Sequence, residues 1–338
     1  MKTSESPSVT VIMPIRNEDE FIERSLGAVL AQDYPSERLE VLVVDGMSDD
    51  GTRERVQRML ANRSNARLLD NPRRIVSTAL NIGLAEARGE VIVRVDGHTI
   101  IASDYVRCCV GALAETGADC VGGLMRSVGD TPFGKAAAVA TGHPFGVGGS
   151  RFHYASEAQE ADTVYMGTWP RQVFERVGTF DEELVRNQDD EFSYRLRAAR
   201  GRIWLDPRIR STYHTRSSLP ALWRQYFQYG YWKVRVFQKV AGSARVRHWV
   251  PPLFALAIVG GVPVALLSPS LRPLYVGGLM CYVLVNLAVS AYLARRLELR
   301  HALWLPLVFA TLHLAYGLGF WGGMLRFGPP WRRVKSHA

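Results

Sequence analysis

Apolar residues in the first two hundred positions come in short runs set between polar turns and amphipathic stretches. Positions 9–13, 39–44, 67–69 and 91–95 read as strands, and Pro14, Asp45-Gly46 and Asp96-Gly97 end three of them. Between them, 21–31, 52–62 and 79–87 read as helices. In the first, Phe21, Ile22, Leu26, Val29 and Leu30 recur at helical spacing. Strands alternating with helices through short connections predict a parallel α/β sheet with right-handed crossovers. A helix is expected over 104–116, a strand over 119–124, a helix ending at Val177 and another over 192–200.

The pattern then changes. Positions 134–153 are rich in Gly and Ala and read as a flexible helix-loop that lets another molecule approach. Positions 219–240 mix aromatics with Arg224, Lys233, Arg235 and Lys239, as an amphipathic helix in a membrane interface does. Three apolar stretches follow at about 249–268, 274–293 and 302–325, each near the ~20 residues that cross a bilayer. The expected division is therefore a catalytic domain over 1–218, interface helices over 219–248, and two or three membrane spans with a short basic tail over 249–338. Arg295, Arg296 and Arg300 favour a cytoplasmic loop between the second and third stretches. The polar start, Met1 to Ser8, carries no apolar signal region and leaves the globular part in the cytoplasm.

The net charge of +9 comes largely from Arg, which suits phosphate and anionic lipid alike. No basic run with interleaved aromatics marks a nucleic-acid module, so no nucleic-acid partner is expected. Cys108, Cys109, Cys120 and Cys281 lack metal-finger spacing and read as buried thiols in a reducing compartment.

Ligands of parallel sheets collect at the carboxyl ends of the strands. There the chain carries Arg16 to Glu18, Asp45, and Asp96-Gly97-His98. Asp96 and His98, two apart, could reach one divalent cation, or simply satisfy a turn. Pro14 to Glu18 stands where GxGxxG would be, which disfavours a dinucleotide fold. Asp189-Asp190-Glu191 exceeds what helix capping requires, leaving one acid free as a general base.

Taken in order, these motifs resemble the inverting family 2 glycosyltransferases of the GT-A fold. They are Pro14-Ile15-Arg16-Asn17-Glu18, Val43 to Thr52, Asn81 to Gly89, Asp96-Gly97-His98, Gly178 to Glu182, and Gln188 to Phe192 with Arg195. Asp-Gly-His-Thr, Pro144 to Gly148, Asn187 to Glu191 and Arg224 to Lys233 are most similar to enzymes of succinoglycan-type exopolysaccharide assembly.

The resemblance implies an α/β nucleotide-sugar-binding sheet flanked by helices, followed by a helical membrane region. It assigns Pro14, Arg16, Glu18, Asp45, Asn81 and Asp96 to the nucleotide-sugar, with Asp45 on the base. Asp96 and His98 would hold Mg²⁺ or Mn²⁺ on the diphosphate. Asp189 takes the family's base position, and Asp190 is the alternative base on chemistry alone. Trp169, Glu191, Arg195, Gln225 and Trp232 fall on the acceptor or product side. His98 replaces the last acid of the usual Asp-x-Asp, and Gln225 alone matches the Gln-x-x-Arg-Trp of processive members, which predicts single sugar addition.

The expected reaction moves a sugar from a nucleotide-sugar, a UDP-sugar such as UDP-glucose, to a polyprenyl-diphosphate-linked oligosaccharide at the inner membrane, alongside other polysaccharide-assembly enzymes. The alternatives are a polyprenyl-phosphate sugar synthase and a non-catalytic scaffold on a decayed transferase fold.

Overall fold

Four parallel strands carry the amino-terminal half of the sheet in the computed structural model, which describes residues 6–334. They are β1 (Val9–Ile15), β2 (Leu39–Asp45), β3 (Ala66–Asp70) and β4 (Val91–Arg94), set in the order β3-β2-β1-β4. The register pairs Val9 with Leu39 on one side and with Val91 on the other. β1, β2 and β4, buried on both faces, are mostly apolar runs, which is why they were legible, whereas the edge strand β3 is only partly buried. β1 runs on through Pro14, opposite Val44, rather than stopping there.

The rest of the sheet departs from the parallel expectation. β5 (Thr99–Ile101), β6 (Cys120–Val128), β7 (Gln159–Glu160), β8 (Tyr165–Pro170) and β9 (Ile203–His214) continue it in the order β4-β8-β6-β9-β5, with β7 on β9. The pairings of β4 with β8, β6 with β8 and β5 with β9 are antiparallel. β9 buries Ile203, Leu205, Ile209 and Ser211, but Pro207 and the charges of Asp206, Arg208 and Arg210 hide it in the sequence.

By contacts the chain falls into two units, 6–126 with 151–213, and 127–150 with 214–334. The first encloses two cores, one on each face of the sheet. Val11, Met13, Val41, Val43 and Val93 line one; Ile12, Leu42, Ile92, Phe180 and Phe192 line the other.

The second unit is helical. Helices Val246–Leu267, Arg272–Ala294 and Leu299–Phe327 (the last two-part) have the length and composition to cross a membrane. Leu305–Phe327 is one unbroken helix, about 34 Å long at 1.5 Å per residue. Its glycines let Leu219–Lys239 pack on it backbone to backbone. A Cβ on Gly319 would lie 2.0 Å from the Phe227 carbonyl oxygen, and one on Gly230 would lie 2.0 Å from that of Tyr316.

The first half of the Gly/Ala-rich segment is a packed helix, whereas residues 148–149 are exposed. The segment forms helices Pro132–Thr141 and Pro144–Val147. Phe133, Ala136, Ala137 and Ala140 are buried with Leu293, Leu305, Val308, Phe309 and Leu312. Cys109 and Cys120 are buried as expected, whereas Cys281 is exposed on Arg272–Ala294.

Candidate active site at the carboxyl edge of the sheet

β1 delivers Glu18 and β4 delivers Asp96 to the same edge. Asn17 takes a left-handed conformation, φ 56°, fixed by its amide N–H on Ser48 Oγ (2.9 Å) and its Nδ2 on Asp49 Oδ1 (2.8 Å). The Glu18 amide N–H then donates to Thr52 Oγ1 at 2.8 Å. The Glu18 carboxylate Oε1 lies 2.9 Å from His98 Nδ1, and the His98 ring stands edge-on to Tyr213 at 5.3 Å. Gly97 keeps the space between them small: a Cβ there would press on the Glu18 and Ile15 side chains, 3.0 Å from both Glu18 Cγ and Ile15 Cγ2.

Asp96 faces a residue that the sequence reading passed over. Arg94 donates through Nε to Asp96 Oδ1 (2.7 Å) and through Nη2 to Oδ2 (3.2 Å). Its remaining nitrogen, Nη1, lies 3.9 Å from Asp189 Oδ2. Arg94 is only 6% exposed, yet burial, which alone would lower its pKa, is more than offset by the two carboxylates. The available signal was a full charge inside the run Val91-Ile92-Val93-Arg94-Val95.

Asp189 lies in the first turn of helix Gln188–Ala198, which begins four residues earlier than expected. Asn187, φ 61°, turns the chain into it, and the Asp190 amide N–H donates to Asp189 Oδ1 at 2.9 Å. Protein crowds the Asp189 carboxyl while 39% of the side chain stays open. Desolvation, then the neighbouring Asp190, pushes its pKa above the ordinary Asp value, with Arg94 pulling the other way.

Several residues expected in the site are engaged in packing or in bonds within the protein. Pro14 is buried within β1. Asn81 spends both ends of its amide on the 180–182 segment: Nδ2 donates to the Phe180 carbonyl and to Glu182 Oε1, and Oδ1 accepts from the Phe180 N–H, each at 2.9 Å. Trp169 is 4% exposed among Phe174, Phe180 and Phe192, with ring centroids 5.6–5.9 Å away. Glu191 is fully buried and paired with Arg195 at 2.8 Å, and Arg195 also donates to the Val177 and Thr179 carbonyls. This ion pair ties the helix to the 177–179 turn.

Asp45 is fully buried as well. Its carboxylate accepts from Ser48 Oγ at 2.6 Å and Arg53 Nη1 at 3.1 Å. Arg16 is exposed at the same edge. Gln225 and Trp232 lie in the second unit, on Leu219–Lys239, with Gln225 bonded to Tyr229 Oη and Trp232 against Phe327.

Among the described residues no three His, Cys, Asp or Glu side chains converge as a self-sufficient metal cage. The donor set still fits a hard divalent cation that completes its shell from phosphate and water, since Mg²⁺ is typically held by one or two carboxylates plus substrate phosphates. A ligating His commonly gives its other ring nitrogen to a carboxylate, as His98 does to Glu18.

The family model for glycosyl transferase family 2 matches residues 10–176. The succinoglycan biosynthesis protein ExoA of Rhizobium meliloti is 30% identical over 95% of this chain and 96% of its own length. The dolichyl N-acetyl-α-D-glucosaminyl phosphate 3-β-D-2,3-diacetamido-2,3-dideoxy-β-D-glucuronosyltransferase of Methanococcus voltae is 26% identical over 94% and 97%. Among solved structures, the mannosyltransferase PcManGT of Pyrobaculum calidifontis, in complex with GDP-Man and Mn²⁺, superposes with a TM-score of 0.61 at 23% identity. That likeness covers 94% of this chain and 88% of that one.

Proposed function

The chain belongs to glycosyl transferase family 2, and from that premise we propose that it is a membrane-bound, inverting enzyme of exopolysaccharide assembly. It moves a sugar from a nucleotide-sugar, with UDP-glucose the first donor to try, to a polyprenyl-diphosphate-linked oligosaccharide. Residues 1–218 are the catalytic part, 219–248 carry interface helices, and 249–338 anchor it in the inner membrane with the catalytic part in the cytoplasm. An anchor on the same chain keeps the enzyme at the surface that carries a lipid-linked acceptor. The relatives from R. meliloti and M. voltae, named for succinoglycan biosynthesis and for transfer to a dolichyl-phosphate-linked sugar, support that choice.

The observation that carries the chemistry is the spacing at the sheet edge: Asp96 and Asp189 face one guanidinium from opposite sides. Asp96 and His98 are the donor-side ligands, and Glu18 orients His98. A divalent cation bound there would offset the charge that builds on the leaving nucleoside diphosphate. Asp189 takes the proton of the acceptor hydroxyl as that oxygen attacks the anomeric carbon. The bond to the diphosphate breaks on the opposite side of that carbon, so one displacement inverts the configuration.

The test is nucleotide release by full-length protein in nanodiscs, offered UDP- and GDP-sugars with Mn²⁺ or Mg²⁺ and a lipid extract. Metal-dependent release that disappears in Asp189→Asn, with a lengthened oligosaccharide lipid, supports the reading. A monosaccharide lipid product would move it to the polyprenyl-phosphate sugar synthases. Absence of release from every donor would sink it.

A further inference from the structure

We propose that Arg94 is a positioning residue that couples the donor side of the site to its base, by sharing one guanidinium between Asp96 and Asp189. The inference rests on the assignment of those two carboxylates made above.

β4 alternates its side chains between the two cores. Val91 and Val93 enter one; Ile92 enters the other, together with Phe180, Phe192 and Leu196. Arg94 shares the parity of Ile92, and so points to the side where helix Gln188–Ala198 presents Asp189. An aliphatic residue would satisfy the strand there. A buried cation must instead be matched by charge, and here two carboxylates from distant parts of the chain match it.

The match is uneven. Asp96 receives the bidentate fork, with Nε and Nη2 at 2.7 and 3.2 Å. Asp189 receives a nitrogen at 3.9 Å, beyond hydrogen-bond reach, and Nη1 is buried with no hydrogen-bond acceptor among the described residues. A buried donor left unmet is costly, so Nη1 has a bond still to make and Asp189 is the carboxylate nearest to it on that side. Any ligand that draws the Asp96 carboxylate toward itself weakens the fork. Nη1 can then close on Asp189, which holds that carboxylate ionised and aimed where the acceptor hydroxyl arrives. Arg94 thus opposes donor-side binding and supports the base, two effects of opposite sign from one side chain.

Those signs make the test. Full-length protein in nanodiscs is compared as wild type, Arg94→Lys and Arg94→Met. Mn²⁺ binding in the presence of UDP is read by paramagnetic resonance, and turnover by nucleotide release. Freed of its competitor, Asp96 in Arg94→Met should bind Mn²⁺–UDP about threefold more tightly or better, while turnover falls about 100-fold or more. Arg94→Lys, which keeps charge without the fork, should fall between. Combining Arg94→Met with Asp189→Asn should add almost nothing to the turnover loss of Asp189→Asn alone.

Weaker binding and slower turnover in parallel would overturn the inference, as would fully additive losses in the double variant. If Arg94→Met does not fold, Arg94→Lys carries the same requirement: tighter binding with slower turnover, and parallel loss again overturns it. A wild-type protein that turns over no donor would sink the transferase reading and this inference with it. A normal wild type with no split in the variants would sink this inference alone.

Discussion

Glu18 Oε1 and His98 Nδ1 meet at 2.9 Å, eighty residues apart in sequence, across a glycine at which a β-carbon would press on the Glu18 and Ile15 side chains. The pair fixes the imidazole ring and leaves its other nitrogen as the available donor. Glu18→Gln should therefore weaken Mn²⁺–UDP affinity by about 10- to 100-fold while leaving thermal unfolding near wild type. Unchanged affinity in a metal titration would remove His98 from the ligand set.

Metal binding should also require the nucleotide. With no three-ligand cage among the described residues, the protein alone should bind Mn²⁺ weakly and gain affinity steeply when UDP is added. Chelation with EDTA should stop nucleotide release, and added Mn²⁺ or Mg²⁺ should restore it. Tight binding without nucleotide, measured by calorimetry, would contradict this arrangement.

The pH profile should report Asp189. The base must be ionised, so activity is lost as pH falls through its pKa. Burial and Asp190 raise that pKa, placing the acid limb above the ordinary Asp value near 3.9. Asp190→Asn removes the repelling neighbour and should move the limb down with turnover retained. Asp189→Asn should cost about 10²–10⁴-fold in turnover. If Asp190→Asn is the more damaging change, the roles of the two acids are reversed.

Glu191 and Arg195 should behave as structure, not as acceptor contacts. Removing one partner of a buried ion pair leaves the other uncompensated, so Glu191→Gln should cost about 3–5 kcal/mol of stability. The Michaelis constant for acceptor should stay unchanged in protein that remains folded. A selective rise in that constant at wild-type stability would return Glu191 to the site.

The parallel half of the sheet was readable because it depends on local pattern: apolar runs, then a polar or glycine stop, although Pro14 did not end β1. What escaped depends on partners distant in the chain. Trp169 followed by Pro-Arg looks like an exposed aromatic until Phe174, Phe180 and Phe192 close around it. Arg94 vanishes in a count of hydrophobic positions, since nothing nearby in sequence reveals that Asp189 completes its charge balance. β9 was hidden by Pro207 and by three charges, of which Asp206 is buried and paired with Arg208. Asp45 ends β2 at the edge the pattern indicates, but its bond to Arg53, eight residues on, could not be read from that pattern.

The helix at Pro132–Thr141 makes the boundary at 218 a poor place to cut. In sequence it interrupts the sheet-forming half, yet its buried face is completed by side chains that come after position 218. A truncated protein ending there would present Phe133, Ala136, Ala137 and Ala140 to water, a sticky stripe in the middle of an otherwise well-formed enzyme. Insolubility of such a fragment would then reflect a missing lid over that stripe rather than a failure of the sheet to fold. Solubility should be recoverable by recolouring the stripe with polar side chains, without restoring any membrane helix.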